Sequence, residues 1–386
     1  MASSDSGPNI MRWVKDHIGG ILPVIPSQIA LSVGQYAYKS LMDSKKFYRK
    51  DSPALLQIIH RKEAELLGAA GGNEPEKTIQ FDTAFEPHYW FDIHTFLRED
   101  SSFREAFQGN IFDYQNEFVI LGSLGEGVTA GALPVLNEHL IQEKKDTLLV
   151  SVFPSVTHSS DALFNAFSSL GLLLSQGSGP VLLLDRARLD DFISVNREGG
   201  RLSGDLVPRY LVELLLHKEG LVRDLVKLSR SFRVELFTVL MAAGSSLEIY
   251  ENLRNILDIA LEQPLLDFDI STASIIYVLV KAPLRLQGRL TKGFIELEVN
   301  SWLKERLEID IPQICEPIYV DELNDRIDVV VLVGGFDTNL LFETVRERVS
   351  RFDNLIKEHG FYDKDVWEKI CGTLLPGVEE SPSAAS

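Results

Sequence analysis

Cysteine is scarce in this chain: Cys315 and Cys371 are the only two in 386 residues. Two thiols build no disulfide framework, and that usage fits a reducing compartment. Basic charge is also short, with 38 Lys and Arg against 56 Asp and Glu and a formal net charge of −18. Such a balance argues against nucleic acid, whose phosphates call for clustered cations, and disfavours broad docking on an anionic membrane. The acidity is spread along the chain and reads as a solvated surface. No uncharged apolar run reaches the ~20 residues of a membrane span, and Met1–Pro8 lacks the apolar stretch of a signal peptide. Internal repeats and low-complexity tracts are absent as well. The expectation is a soluble, cytoplasmic protein with no integral membrane segment and no nucleic-acid partner.

Recognisable hydrolase and metal signatures are missing too. His158 lies among Ser155, Ser159 and Ser160, but there is no G-x-S-x-G elbow, and adjacent Ser and His residues rarely adopt triad geometry. His88 and His94 flank Asp92 in an H-x5-H spacing, whereas ligands on one helix or turn are three or four apart. No metal site is expected there, and the aromatic Tyr89, Trp90 and Phe91 read as packing residues. Gly334-Gly335 reads as a turn needing positive φ.

What the chain has is apolar residue in quantity, 45% of the total, enough for two packed domains. Asn9–Ile18 can form a helix with Ile10, Val14 and Ile18 on one side, packed onto the body. Ile21–Ile25 reads as a first strand and Gln28–Leu41 as the helix after it. Further strands are expected at Ala54–His60, Lys77–Phe81, 117–122, 147–153 and 180–184, with helices at 98–109, 131–143 and 159–175. Continuous apolar strands alternating with helices predict a parallel sheet covered on both faces, a doubly wound α/β domain. Its ligand crevice lies at the carboxyl ends of the strands. A long helical region over about Leu206–Leu228 follows, then helix Leu247–Glu262, strand Ser274–Lys281, helix Lys292–Leu307 and strands Glu316–Val320 and Asp328–Val333, a smaller α+β unit with a mixed sheet. An amphipathic helix is expected around Leu340–His359 and a short segment near Val366–Leu375.

The densest information lies in Leu124-Gly125-Glu126-Gly127-Val128-Thr129-Ala130-Gly131-Ala132-Leu133-Pro134-Val135, directly after the strand-like Phe118–Gly122. A Gly-rich turn between strand and helix is where backbone N–H groups converge on phosphate. The stretch resembles the signature loop of the FtsZ/tubulin superfamily, GGGTGTG followed by A-A-P-V. Thr147–Pro154 is similar to the strand leading into the family's P-F loop, Pro264–Ala273 to its PLL…DI…A segment, and Tyr319–Gly335 to its D…ND.I.V.V…G strand pair. The order agrees over residues 20 to about 340. The resemblance implies a Rossmann-like, GTPase-type domain over 9–205, a central helix and synergy-loop region over 206–246, a C-terminal α+β domain over 247–340, a helical extension over 341–378 and a disordered tail over 379–386.

The ligand loops depart from the family pattern. Gly125, Gly127, Thr129, Gly131 and Arg186 are the residual nucleotide-site positions, yet Glu126 would direct repulsion at a phosphate. The family's GGGGGN-like first turn corresponds to Pro26–Ser32, which has no glycine. The G-A-G-x-N-P loop is replaced by Phe85-Glu86-Pro87-His88-Tyr89-Trp90. His158 and Ala162 stand where the family has a Glu and an Arg for ribose and base, and Arg186 stands in place of the guanine-reading Asn. The acidic N-x-D-F-A-D loop, which completes the neighbouring subunit's site, corresponds to Arg233–Thr238, where Glu235 alone keeps a carboxylate as catalytic candidate. Candidate cations to offset these losses are Arg186, Arg188 and His158.

Two readings follow. The first is a non-catalytic, FtsZ-like pseudo-GTPase with no cofactor, assembling with itself or with filaments of an active FtsZ paralogue through longitudinal contacts. The alternative is a divergent polymerising GTPase that retains GTP or GDP with Mg²⁺ and uses Glu235 in hydrolysis. A third possibility is a doubly wound enzyme whose crevice holds an unrelated ligand, for which no residue names a substrate. The tail Glu379–Ser386 does not resemble the family's anchor-binding peptide.

Overall fold

A computed structural model describes residues 27–42, 54–67, 78–111, 115–155, 157–177, 179–195, 199–339, 341–342 and 364–374. The expected elements at 9–18 and 21–25, the tail, and most of the helix at 340–359 lie outside them.

The architecture is α/β. Strands β1 (Gln28–Val33), β2 (Ala54–His60), β3 (Thr78–Phe81), β4 (Glu117–Ser123), β5 (Asp146–Phe153) and β6 (Val181–Asp185) alternate with helices. These are α1 (Gly34–Met42), α2 (Arg61–Leu66), α3 (Trp90–Glu99), α4 (Ser101–Gly109), α5 (Gly127–Gln142), α6 (Ser160–Ser175) and α7 (Arg186–Asp191). A two-stranded hairpin, β7 (Ile193–Val195) and β8 (Arg201–Ser203), leads to α8 (Val207–Leu215) and α9 (Leu221–Phe232). The second half comprises β9 (Leu236–Ser246), α10 (Leu253–Glu262), β10 (Ile275–Pro283), α11 (Lys292–Ser301), β11 (Gln313–Val320) and β12 (Arg326–Gly334), and α12 (Lys364–Leu374) follows. The order β11-β10-β12-β9-β6-β5-β4-β1-β2-β3 forms one ten-stranded sheet. All pairs are parallel except the two made by β12. The carboxyl ends of every other strand therefore share one edge.

Both faces of the sheet are covered. Leu31, Ile58, Ile120 and Leu149 point to the face packed by α3, α5 and α6, and Ala30, Val119, Leu121 and Val150 to the face packed by α1, α8 and α9. This two-sided burial is why the strands read as continuous apolar runs. The C-terminal helix α12 lies on α6: Trp367 packs against Phe164 and Phe167, with ring centroids 6.0 and 6.1 Å away. A side chain on Gly171 would collide with Ile370.

Three local expectations change. Gln28–Val33, expected within a helix, is β1; the switch to helix is made by Gly34, whose φ of +80° suits glycine. Gln28 to Val33 are all buried between β2 and β4, so sheet pairing overrides a pattern that continued smoothly into α1. The helical region expected over 206–228 is two helices, interrupted by a loop ending at Gly220, with φ of +94°. The region expected as the synergy loop contains β9, eleven residues long and the link between the two halves of the sheet. Its ends are disguised by Arg233 in the left-handed region before it and by Ala-Ala-Gly-Ser-Ser inside it.

One buried carboxylate joins α8 to this link. Asp328 is 1% exposed, accepts from Gly244 N–H at 2.7 Å and from the Tyr210 hydroxyl at 2.6 Å, and sits at a bulge where β12 shifts register against β9. Asp328→Ala removes the acceptor for both donors and should cost about 2–4 kcal/mol. Chemical denaturation should show a lower midpoint with an unchanged slope.

Candidate crevice at the strand carboxyl ends

Three strand–turn–helix units meet at the shared edge: β1 to α1 through Gly34, β2 to α2 through His60, and β4 to α5 through Leu124–Glu126. The turn expected to lack glycine lies elsewhere. It is Val33-Gly34-Gln35, and its glycine is required: a Cβ on Gly34 would overlap the Thr129 hydroxyl and lie 2.8 Å from Glu126 Oε2.

Glu126 is the N-cap residue of α5 but makes no side-chain cap there. Its carboxylate reaches across to the start of α1 and accepts from Tyr36 N–H, at 3.1 Å to Oε1 and 3.4 Å to Oε2. The Thr129 hydroxyl lies 3.0 Å from Oε2 and 3.0 Å from the Val33 carbonyl oxygen. An acidic group at a helix N-terminus is stabilised by the exposed N–H groups and the helix dipole, at about 0.3–1 kcal/mol and more where partly buried. Glu126 thus occupies the anion position that the turn before α1 offers. Burial pushes its pKa up to about 7. Glu63, in the first turn of α2, is pushed up to about 8 by burial and by the charge of Glu126.

The expected glycines have packing partners. Gly125 rests on Pro154 and Ala162; a Cβ on Gly127 would overlap the His88 carbonyl, and one on Gly131 the Trp90 carbonyl. The segment from Pro87 to His94 therefore lies flat on the small-residue face of α5. Asn165 of α6, 2% exposed, locks it in place, accepting from Trp90 N–H at 2.9 Å and donating to the His88 carbonyl at 2.9 Å.

Arg186 opens α7 at the end of β6, with its guanidinium 5.8 Å from the Tyr36 ring centre. Its charge is met by Asp190 at 2.7 Å and Asp205 at 3.0 Å. Arg188 is paired with Asp267, and His158 Nδ1 lies 3.2 Å from the Ser155 carbonyl oxygen. His88 pairs with Asp161 at 2.9 Å, while His94 is half-buried, and desolvation lowers its pKa to about 4. Among the described residues no group of three or more His, Cys, Asp or Glu is placed to hold a metal ion.

Glu235 is not in the crevice. It directly precedes β9, its carbonyl accepts from Val181 N–H at the start of β6 at 2.7 Å, and it sits at the opposite edge of the parallel strands. Burial raises its pKa. Glu219, in the loop between α8 and α9, lies at that same far edge and accepts from the Ser27 hydroxyl at 2.9 Å. Sequence reasoning missed Gly34, Tyr36, Glu63 and Asn165. The apolar run, Gly and helix of Leu31–Leu41 repeat the pattern that singled out Leu124–Leu136, and could have found the first two.

A doubly wound half continued through one sheet into a mixed half is a fold shared with solved structures of the FtsZ/tubulin type. CetZ from Methanosaeta thermophila superposes with a TM-score of 0.62 at 14% identity, covering 89% of this chain and 97% of that one. The empty FtsZ dimer from M. jannaschii gives 0.58 at 14%, covering 87% and 93%. A GTPγS-form protofilament of TubZ from Bacillus thuringiensis serovar israelensis gives 0.59 at 14%, covering 91% and 98%. No protein-family model and no curated protein sequence matches the chain. At these identities the likeness is one of fold.

Alanine favours a helix over glycine by about 1 kcal/mol, so Gly127→Ala and Gly131→Ala should stabilise α5 if these glycines only serve a ligand. The packing against His88 and Trp90 predicts the reverse, a loss of about 1–3 kcal/mol each from overpacking. Thermal unfolding decides, a neutral or raised midpoint refuting the packing role.

Proposed function

We propose that this chain is a tubulin-like cytoskeletal protein of the FtsZ type that assembles without turning over GTP. The observation carrying this reading is the Glu126 carboxylate on the α1 N-terminus. A nucleotide phosphate would have to displace it, and would meet a second carboxylate at Glu63. The residues do not fit a polyanion: Arg186 and Arg188 are paired with aspartates, and the space at the glycines is taken by backbone at Gly127 and Gly131 and by side chains at Gly34 and Gly125. Glu235 lies half-buried at the far edge of the parallel strands, away from this crevice.

Assembly is supported by the relatives in fold, a FtsZ dimer and a TubZ protofilament. It is also supported by apolar side chains at the edge a neighbour would cover: Ile249, Leu284 and Leu323 follow the carboxyl ends of β9, β10 and β11 and are 73%, 51% and 95% exposed. The partner is a second copy or an active FtsZ paralogue, and a role in cell division is part of this proposal. Among the described residues no helix is long and apolar enough to cross a membrane.

The divergent-GTPase reading keeps one supporting observation, a glycine at the first strand–helix turn, Gly34, with φ of +80°. Titration calorimetry of nucleotide-stripped protein with GTP and GDP, Mg²⁺ present, separates the two. The expected outcome is no binding up to about 1 mM, where the binding free energy is only about −4 kcal/mol, together with sedimentation that does not respond to GTP. Micromolar binding would overturn the pseudo-GTPase reading, and GTP turnover lost in Glu235→Ala would then give that residue its catalytic role.

A further inference from the structure

Glu126 and Thr129 are one proton short if the carboxylate is ionised. The Thr129 hydroxyl has a single proton and two oxygen neighbours at 3.0 Å, the Val33 carbonyl and Glu126 Oε2. A carbonyl oxygen only accepts. If Thr129 donates to Val33, two lone-pair oxygens face each other at 3.0 Å unless Oε2 itself carries a proton. Protonated, Glu126 completes a chain in which Tyr36 N–H donates to Oε1, Oε2–H donates to Thr129, and Thr129 donates to Val33. Every polar atom of the chain is then satisfied, and the β1–α1 and β4–α5 units are tied together.

Burial resists loss of that proton, while the Tyr36 and Gln35 N–H groups, Thr129 and Lys39 favour the ionised form. From α2, Glu63 stands close enough for its charge and that of Glu126 to oppose each other, and Glu63 Oε2 is buried with no hydrogen-bond partner. From α1, Tyr36 and the exposed Lys39 face Glu126. His60, at the end of β2, is fully buried, within 3.0 Å of the Thr83 hydroxyl, and burial lowers its pKa. Beyond His60 stand Lys62, Asp82 and Glu86. Arg186, on the other side of Tyr36, is held by Asp190 and Asp205.

We propose that Glu126, Thr129 and Glu63 form a proton-operated latch on the crevice. With a proton on Glu126 the two turn–helix units are locked. Its release to solvent removes the Oε2–H bond to Thr129 and leaves two opposed carboxylates, which loosens the joint between the β1–α1 and β4–α5 units and the edge on which a neighbouring subunit would sit, while the Tyr36 N–H contact stays. The latch rests on the reading that the Glu126 carboxyl itself fills the α1 N-terminus in place of a ligand, but not on whether nucleotide binds elsewhere in the protein.

The direction of the pH effect follows from the raised values. Both groups titrate near 4.5 in a free chain, against about 7 and about 8 in the fold. The stabilisation is thus fully present below 4.5 and is lost as pH rises through 7 to 8. The two carboxyls titrate as a coupled pair. Glu126→Gln is the informative variant, because its amide donates to Thr129 and accepts from Tyr36 as the protonated acid does. Between about pH 5 and about pH 8 the nucleotide-free wild type should lose several degrees of unfolding temperature relative to Glu126→Gln, whose profile should be flatter. Infrared difference spectra of the full chain should show a protonated-carboxyl band lost over the same range in the wild type and diminished in Glu126→Gln. Glu63→Gln should move the midpoint of that band to lower pH. Parallel pH profiles for wild type and Glu126→Gln, or a band unchanged by the substitution, would overturn the latch. Nucleotide binding in calorimetry would overturn the pseudo-GTPase reading while leaving this result to stand separately.

Discussion

The crevice edge is organised around one side chain that leaves its own helix. A carboxylate at the N-cap of α5 would ordinarily bond its own first turn; Glu126 instead spans to the N–H of Tyr36 at the start of α1. Other features of the edge follow from that span. Gly34 must be glycine because Glu126 and Thr129 fill the space where its side chain would go. Thr129 must carry a hydroxyl to bridge the carboxyl to Val33. A buried carboxyl beside it, Glu63, feels the charge and titrates high.

The same residues that make a phosphate cradle make a tight internal joint. Glycines at a strand–turn–helix corner leave backbone uncovered, and any group that needs close approach can use it. Here the His88 and Trp90 carbonyls use it against α5, and Asn165 secures the contact from α6. A fold that elsewhere holds a ligand between its turns can therefore keep its shape with its own side chains in place of that ligand. On the proposed reading, this is how a scaffold keeps its shape while its site changes use.

Much of the fold was legible because it is driven by burial on both faces of a sheet. The strands at 54–60, 117–123, 146–153 and 181–185 are continuous apolar runs and were placed within a residue of their ends. Where local signals conflicted, the reading slipped. Gln28–Val33 looked like the beginning of α1, and the absence of glycine inferred for the first turn was a consequence of that slip. The strand at 236–246 was hidden by a helical run before it and small residues within it, and only its neighbours β6 and β12 explain why it is extended.

From sequence alone came the doubly wound class, most of its strands and helices, and the strand–turn–helix at Leu124–Leu136. These depend on apolar periodicity and residue chemistry, which are local. What tertiary structure decided is where the Glu126 carboxylate goes and what the glycines face. Tyr36 is 90 residues from Glu126 and Asn165 is 77 from His88; such pairs are brought together only when parallel strands align their carboxyl ends along one edge. Long-range register of this kind is set by the whole sheet, so the crevice is written in its packing and not in any one motif.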